Sequence, residues 1–97
     1  MSETKTALER GSIKGFEHRR MVMQFSMMDG GNEVSCAVSS RAMDEMDHVA
    51  WTVEDQREEQ FLRLRDRIEH RASLKFQAGT FEGNPPGIVL RSLDFRE

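Results

Sequence analysis

Among the 97 residues, three histidines, one cysteine, seven methionines and a row of arginines are the side chains whose types and spacing point to chemistry. Asp66 and His70 stand four apart with Glu69 beside them, a spacing that sets a carboxylate and an imidazole on one face of a helix, where a metal ion can be held. One such pair is not a complete site. Its metal or small-ligand reading needs a second copy of the chain to double the ligands, and the simpler reading is a solvated i,i+4 pair. Cys36 lies between Val34 and Val38, and a thiol among apolar neighbours has a raised pKa and behaves as a small hydrophobe. His18, His48 and His70 lack the local signature of a cysteine hydrolase, so no triad is expected and the chain does not read as an enzyme. Met21, Met23, Met27 and Met28 carry thioethers that suit copper(I), but their spacing fits core filling better, with an adaptable apolar binding face as the alternative. Arg57, Arg63, Arg65, Arg67 and Arg71 form a row that could track phosphates or meet an acidic protein, with Arg63, Arg67 and Arg71 as the candidate contacts. Glu58, Glu59, Asp66 and Glu69 interrupt the row and cancel much of its field, which favours a solvated, ion-paired face.

The composition narrows these choices. Lys+Arg number 14 against 17 Asp+Glu, a formal charge of −3, which disfavours the long-range attraction that accompanies non-specific nucleic-acid binding. The chain has no Tyr, and its six Phe fall mostly on apolar stripes, so base-stacking platforms are not expected. A single cysteine excludes an intramolecular disulfide and a Cys-only zinc site. The full spacings of HExxH, EF-hand and phosphate-loop motifs are lacking, and Gly30-Gly31 and Gly79 read as a turn and a helix stop. No cofactor is expected. The longest apolar runs are three residues, far below the roughly 20 that a membrane span requires. The first residues also lack a secretory apolar stretch, so a cytoplasmic location without membrane contact is expected.

The elements that must position these residues follow from periodicity. Residues 1–15 carry few apolar side chains and are expected to form a flexible arm, leaving 16–97 as one domain. Met21, Met23, Phe25 and Met27 alternate with polar residues as one face of a strand does, and Asp29-Gly30-Gly31-Asn32 supplies a hairpin turn. Val34, Cys36 and Val38 mark the returning strand. Ser39 or Ser40 can cap a short helix through Ala42, Met43 and Met46. A long helix over 53–78 is expected behind Thr52 and Asp55, with Phe61, Leu64, Ile68, Ala72 and Phe76 as its apolar stripe. Trp51 is expected to anchor the connection between the helices to the core, an exposed interface position being the alternative. Leu62 and Leu74 lie off the stripe, where a second copy of the chain could cover them. The breaker Asn84-Pro85-Pro86-Gly87 precedes a last strand over 88–95. The expected fold is therefore a two-layer α+β sandwich, a three-stranded antiparallel sheet with one short and one long helix in the order β-β-α-α-β.

The stretch Gly31-Asn32-Glu33-Val34-Ser35-Cys36-Ala37-Val38-Ser39, the helix segment 65–70, Gly87-Ile88-Val89-Leu90 and Leu93-Asp94-Phe95 together resemble the small proteobacterial family of domain of unknown function 1488. The likeness runs over about residues 16–95 and implies a compact intracellular bacterial domain. It supplies no catalytic or binding residues. The expected function is a non-enzymatic interaction or regulatory module whose partner is another protein or a second copy. The alternatives are a nucleic-acid-associated regulator using Arg63, Arg67 and Arg71, and a ligand or metal binder at a dimer interface.

Overall fold

The computed structural model describes residues 8–83 and 85–96. A four-stranded mixed sheet, its strands adjacent in chain order, carries two helices on one of its faces. The hairpin is the expected one: β2 (Val22–Asp29) and β3 (Asn32–Ser39) pair antiparallel, with Phe25 opposite Cys36 and Asp29 opposite Asn32. Gly30 makes the turn at φ 62°, a left-handed conformation that glycine adopts without a Cβ clash.

Two differences from the expected sheet have clear physical causes. Residues 9–15 are not an arm, because β1 (Glu9–Glu17) pairs antiparallel along β2 and adds a fourth strand. The rest of the expected arm, residues 1–7, lies outside the described residues. Two register shifts in β1 stretch its side-chain period. Arg10, Ile13 and Phe16, three apart, come opposite Met27, Phe25 and Met23 on the core-facing side of β2. Gly11 permits this close approach, since a Cβ there would stand 2.5 Å from the Ser26 carbonyl oxygen. The second difference is the direction of the last strand. β4 (Ile88–Leu90) pairs parallel to β3, as the crossover through both helices allows, and the sheet is mixed rather than antiparallel. Its chain then leaves the sheet as a 3-10 turn over Ser92–Phe95, where Asp94 Oδ2 accepts from the Arg91 N–H at 2.7 Å.

The short helix α1 (Ser40–Met46) starts as expected, with Ser39 Oγ accepting from the Ala42 N–H at 3.1 Å. The long helix α2 (Arg57–Gln77) starts later than expected, after a 3-10 turn over Glu54–Gln56. Thr52 does not cap it, because its hydroxyl donates to Asp44 on α1 instead. Phe61, Leu64, Ile68 and Ala72 are buried against Met23, Phe25, Met27, Val38, Ile88 and Leu90, and the Phe25 and Phe61 rings meet at 5.0 Å. Each large side chain so buried contributes about 1.5–3 kcal/mol, which makes this layer the main source of stability. No helix among the described residues is long and apolar enough to cross a membrane.

Candidate functional site

The helices cover only one face of the sheet. On the other face, Val22, Ala37 and Val89 project between Gln24, Ser35 and Ser39, as alternation along each strand requires. Above this floor lies an open cleft of about 830 Å³, walled by Arg20 from the turn before β2, Arg41 from α1, and Arg91 and Arg96 from the C-terminal segment. Val22, Val89 and Leu93 supply apolar floor and wall, and Glu82 is the single carboxylate among the described residues that lines the cleft. A smaller cavity shares Arg20, Glu82, Gly83 and Val89 with it and extends the groove past Ser35 and Gly87. Glycine is needed at 87, since a Cβ there would lie 2.6 Å from the Ser35 carbonyl oxygen and force β4 away from β3.

The four guanidiniums are held with unequal firmness. Arg91 grips Glu82 through two nitrogens at 2.6 and 2.9 Å, a fork that lowers the carboxyl pKa and raises that of the arginine. Arg20 Nε meets Glu17 at 2.7 Å. Arg41 and Arg96 share one carboxylate, Glu45, at 3.3 and 3.4 Å, the longest ion pairs among the described residues. Burial pushes the Glu45 carboxyl up, but Ser92 and the Arg96 and Arg41 guanidiniums more than reverse it. The arrangement sets charge at the walls and apolar side chains between them, which suits an anionic chain that carries an apolar side chain.

The expected contacts on α2 lie elsewhere. Arg63 is tied to Asp47 at 2.6 Å, Arg67 borders a small pocket beside Arg96, and Arg71 borders another cavity near Lys75 and Asp94. None of the three lines the cleft. Asp66 is taken by Arg10 at 3.0 Å, and Glu69 is shared by Arg10 and Arg65, so Asp66 and His70 are not drawn together as a ligand pair. Among the described residues no group of three or more His, Cys, Asp or Glu is placed to hold a metal ion. Cys36 is buried, and burial pushes its thiol up to about 12, which keeps it protonated at neutral pH. Met23 and Met27 fill the core, Met28 is half-buried and Met21 is exposed. Trp51 does not anchor the connection: it is 69% exposed, because Thr52 rather than the indole ties this loop inward. Leu62 and Leu74 are exposed on α2, as their position off the stripe implies.

Beneath the helices lies a polar cluster that periodicity does not reveal. Asp44 Oδ1 accepts from Arg57 at 2.7 Å, Gln60 at 2.9 Å and Thr52 at 2.9 Å, and Arg57 also donates to Gln60 at 2.7 Å. The Arg57 guanidinium lies 5.5 Å from the Phe16 ring centre, which fixes β1 to the same cluster. Burial raises the Asp44 carboxyl pKa, yet bonds from Arg57, Gln60 and Thr52 bring it below its ordinary value. Each member is satisfied by another, so the cluster joins α1, α2 and β1 and offers little to a ligand.

Comparison with known proteins agrees with this architecture. A family model described as "Protein of unknown function (DUF1488)" matches residues 11–87. The crystal structure of a protein of unknown function from the DUF1488 family of Shewanella loihica PV-4 is similar over 92% of this chain and 98% of that one. Its TM-score is 0.74 at 13% identity, a likeness of fold. No curated protein matches the chain.

Proposed function

The chain belongs to the DUF1488 family of proteins of unknown function, and from that premise we propose that it is a non-enzymatic interaction module docking an acidic polypeptide segment on the open face of its sheet. One observation carries the reading: four guanidiniums, Arg20, Arg41, Arg91 and Arg96, wall an apolar-floored cleft that, among the described residues, only Glu82 lines with opposite charge, on a chain whose net charge is −3. Charge complementarity of that kind sets partner choice and encounter rate. The sheet edges support the face as the docking surface. β1 is interrupted by two register shifts, and β4 is three residues long with the Val89 carbonyl already occupied by Lys75 Nζ at 2.7 Å. Edges interrupted or occupied in this way pair poorly with another strand.

The test is titration of the protein with a short Glu-rich peptide carrying a central leucine, followed by backbone NMR. Shifts confined to β2, β3, β4 and the C-terminal turn are expected. Binding should weaken at least about tenfold between 50 and 200 mM salt and be abolished by Arg91→Glu. Single-stranded RNA serves as the competing polyanion. RNA bound more tightly than the peptide, with shifts on Arg63, Arg67 and Arg71, would replace this reading with a nucleic-acid-associated regulator. A peptide that shifts only the exposed Trp51, Leu62 and Leu74 would move the interface to the helix side.

A further inference from the structure

Behind the C-terminal wall of the cleft, on the helix side, is a second and smaller pocket. Its volume is about 250 Å³, and its polar lining is Arg67 of α2, Arg96 and Ser92 of the C-terminal turn, and Glu45 and His48 at the end of α1, with Phe95 closing it. Three elements distant in sequence therefore line one small space.

We infer that this pocket holds the phosphate group of a phosphate monoester. Charge is the first argument. Arg67 has no partner among the described residues, and Arg96 shares Glu45 with Arg41 at 3.4 Å, near the limit of an ion pair. Among the described residues, three guanidiniums (Arg41, Arg67 and Arg96) around the one carboxylate of Glu45 leave two positive charges uncompensated even with His48 neutral. A phosphate monoester carries nearly two negative charges at pH 7, whereas one more carboxylate would leave the cluster positive. The hydroxyl of Ser92 is the second argument. Its Oγ is shielded from solvent and makes no hydrogen bond of good geometry, although it lies close enough to Glu45 to help lower that carboxyl's pKa. A tetrahedral anion with three acceptor oxygens gives that hydroxyl and both guanidiniums an acceptor each. The backbone supplies the third. His48 sits at φ 59°, in the left-handed region that favours glycine, at the corner where α1 ends against the pocket. That conformation is the left-handed residue that closes α1, with the His48 and Val49 N–H groups donating to the Glu45 and Asp44 carbonyls, and it holds the imidazole at the pocket wall.

Size then says how much of the ligand fits. The space is below the roughly 300–1,000 Å³ of sites that enclose a whole small molecule, so it takes one charged group and leaves the rest outside. Arg96 and Ser92 line both this pocket and the large cleft, which gives the body of the ligand a direction in which to lie. The pocket does not depend on the acidic-segment reading of the cleft.

The experiment is an NMR titration of the full chain with inorganic phosphate at constant ionic strength, with acetate as the carboxylate control. Saturable shifts at Glu45, His48, Arg67, Ser92 and Arg96 are expected, with phosphate preferred over acetate by at least about tenfold. Arg67→Gln should weaken phosphate at least about tenfold, a loss of one charge-assisted contact. Arg63→Gln, one turn away and tied to Asp47, should change nothing, and its folded spectrum controls for helix damage. Arg91→Glu separates the two proposals, since it removes peptide binding in the cleft and leaves phosphate binding intact. Glycerol phosphate and a phosphoserine peptide then distinguish the source. Equal affinity identifies a free metabolite, and a peptide that binds more tightly and needs Arg91 identifies a modified partner. Unsaturable shifts, acetate binding as well as phosphate, or Arg63→Gln weakening phosphate as much as Arg67→Gln would overturn the assignment.

Discussion

Asp44 and Glu45 are neighbours in α1, and their surroundings differ in every respect that matters. Asp44 is buried and receives three donors on one oxygen within 2.9 Å, from Arg57, Gln60 and Thr52. Glu45 is exposed and holds two arginines at 3.3 and 3.4 Å. Ion pairs cut off from water are costly to break, whereas exposed ones contribute little and are exchanged readily. The first cluster therefore belongs to the fold, and the second is available to a partner. One residue of rotation on a helix separates the two roles.

The comparison breaks most directly at Asp44. Asp44→Ala leaves the Arg57 guanidinium buried without its counter-charge and should cost about 3–5 kcal/mol, read as a lowered midpoint in urea unfolding. A loss below 1 kcal/mol would mean that Arg57 finds water, and that the cluster is no more structural than Glu45. Gln60→Ala should cost less, about 1–3 kcal/mol, because it removes a neutral bridge and leaves Arg57 short of one acceptor. Acid sharpens the contrast further. The Asp44 pKa is lowered in the folded state, so its contribution is complete above the unfolded value near 3.9 and is lost as pH falls through the lower folded value. Stability should thus fall below about pH 4, and Asp44→Asn should flatten that limb. The smallest effect is expected at the exposed site: Glu45→Ala should leave the urea midpoint unchanged while raising affinity for acidic probes, because it frees Arg41 and Arg96. Destabilisation by Glu45→Ala comparable to that of Gln60→Ala would erase the distinction.

How much of this was readable from the residues alone depends on local period. The hairpin was legible because Met23, Phe25 and Met27 alternate strictly, and the body of α2 because Phe61, Leu64, Ile68 and Ala72 keep helical spacing. β1 escaped because its register shifts spread Arg10, Ile13 and Phe16 over a period of three, which matches neither template. The expected last strand ran too long, since Leu90, Leu93 and Phe95 are apolar in both strand and turn, and Asp94 ends the strand through a backbone hydrogen bond. The cleft had no local signature at all. Arg20, Arg41, Arg91 and Arg96 are scattered over most of the chain, and only the parallel return of β4 beside β3 gathers them. The row on α2 stands out in the sequence because it is contiguous, yet Arg63 serves an ion pair with Asp47 and only Arg67 of the expected contacts borders a polar pocket near the cleft.

That parallel return also governs when the molecule can become itself. Ile88, Val89 and Leu90 close against Cys36, Ala37 and Val38 only after both helices have been made, a long loop whose closure costs entropy before any contact compensates it. During synthesis the hairpin and α2 can meet early, but the inner strand edge of β3 stays uncovered until residues 88–90 emerge. The nascent chain thus exposes an apolar strand edge throughout the synthesis of both helices. Arg91 and Arg96 reach the walls only at that step, so the charged cleft does not exist before β4 has docked.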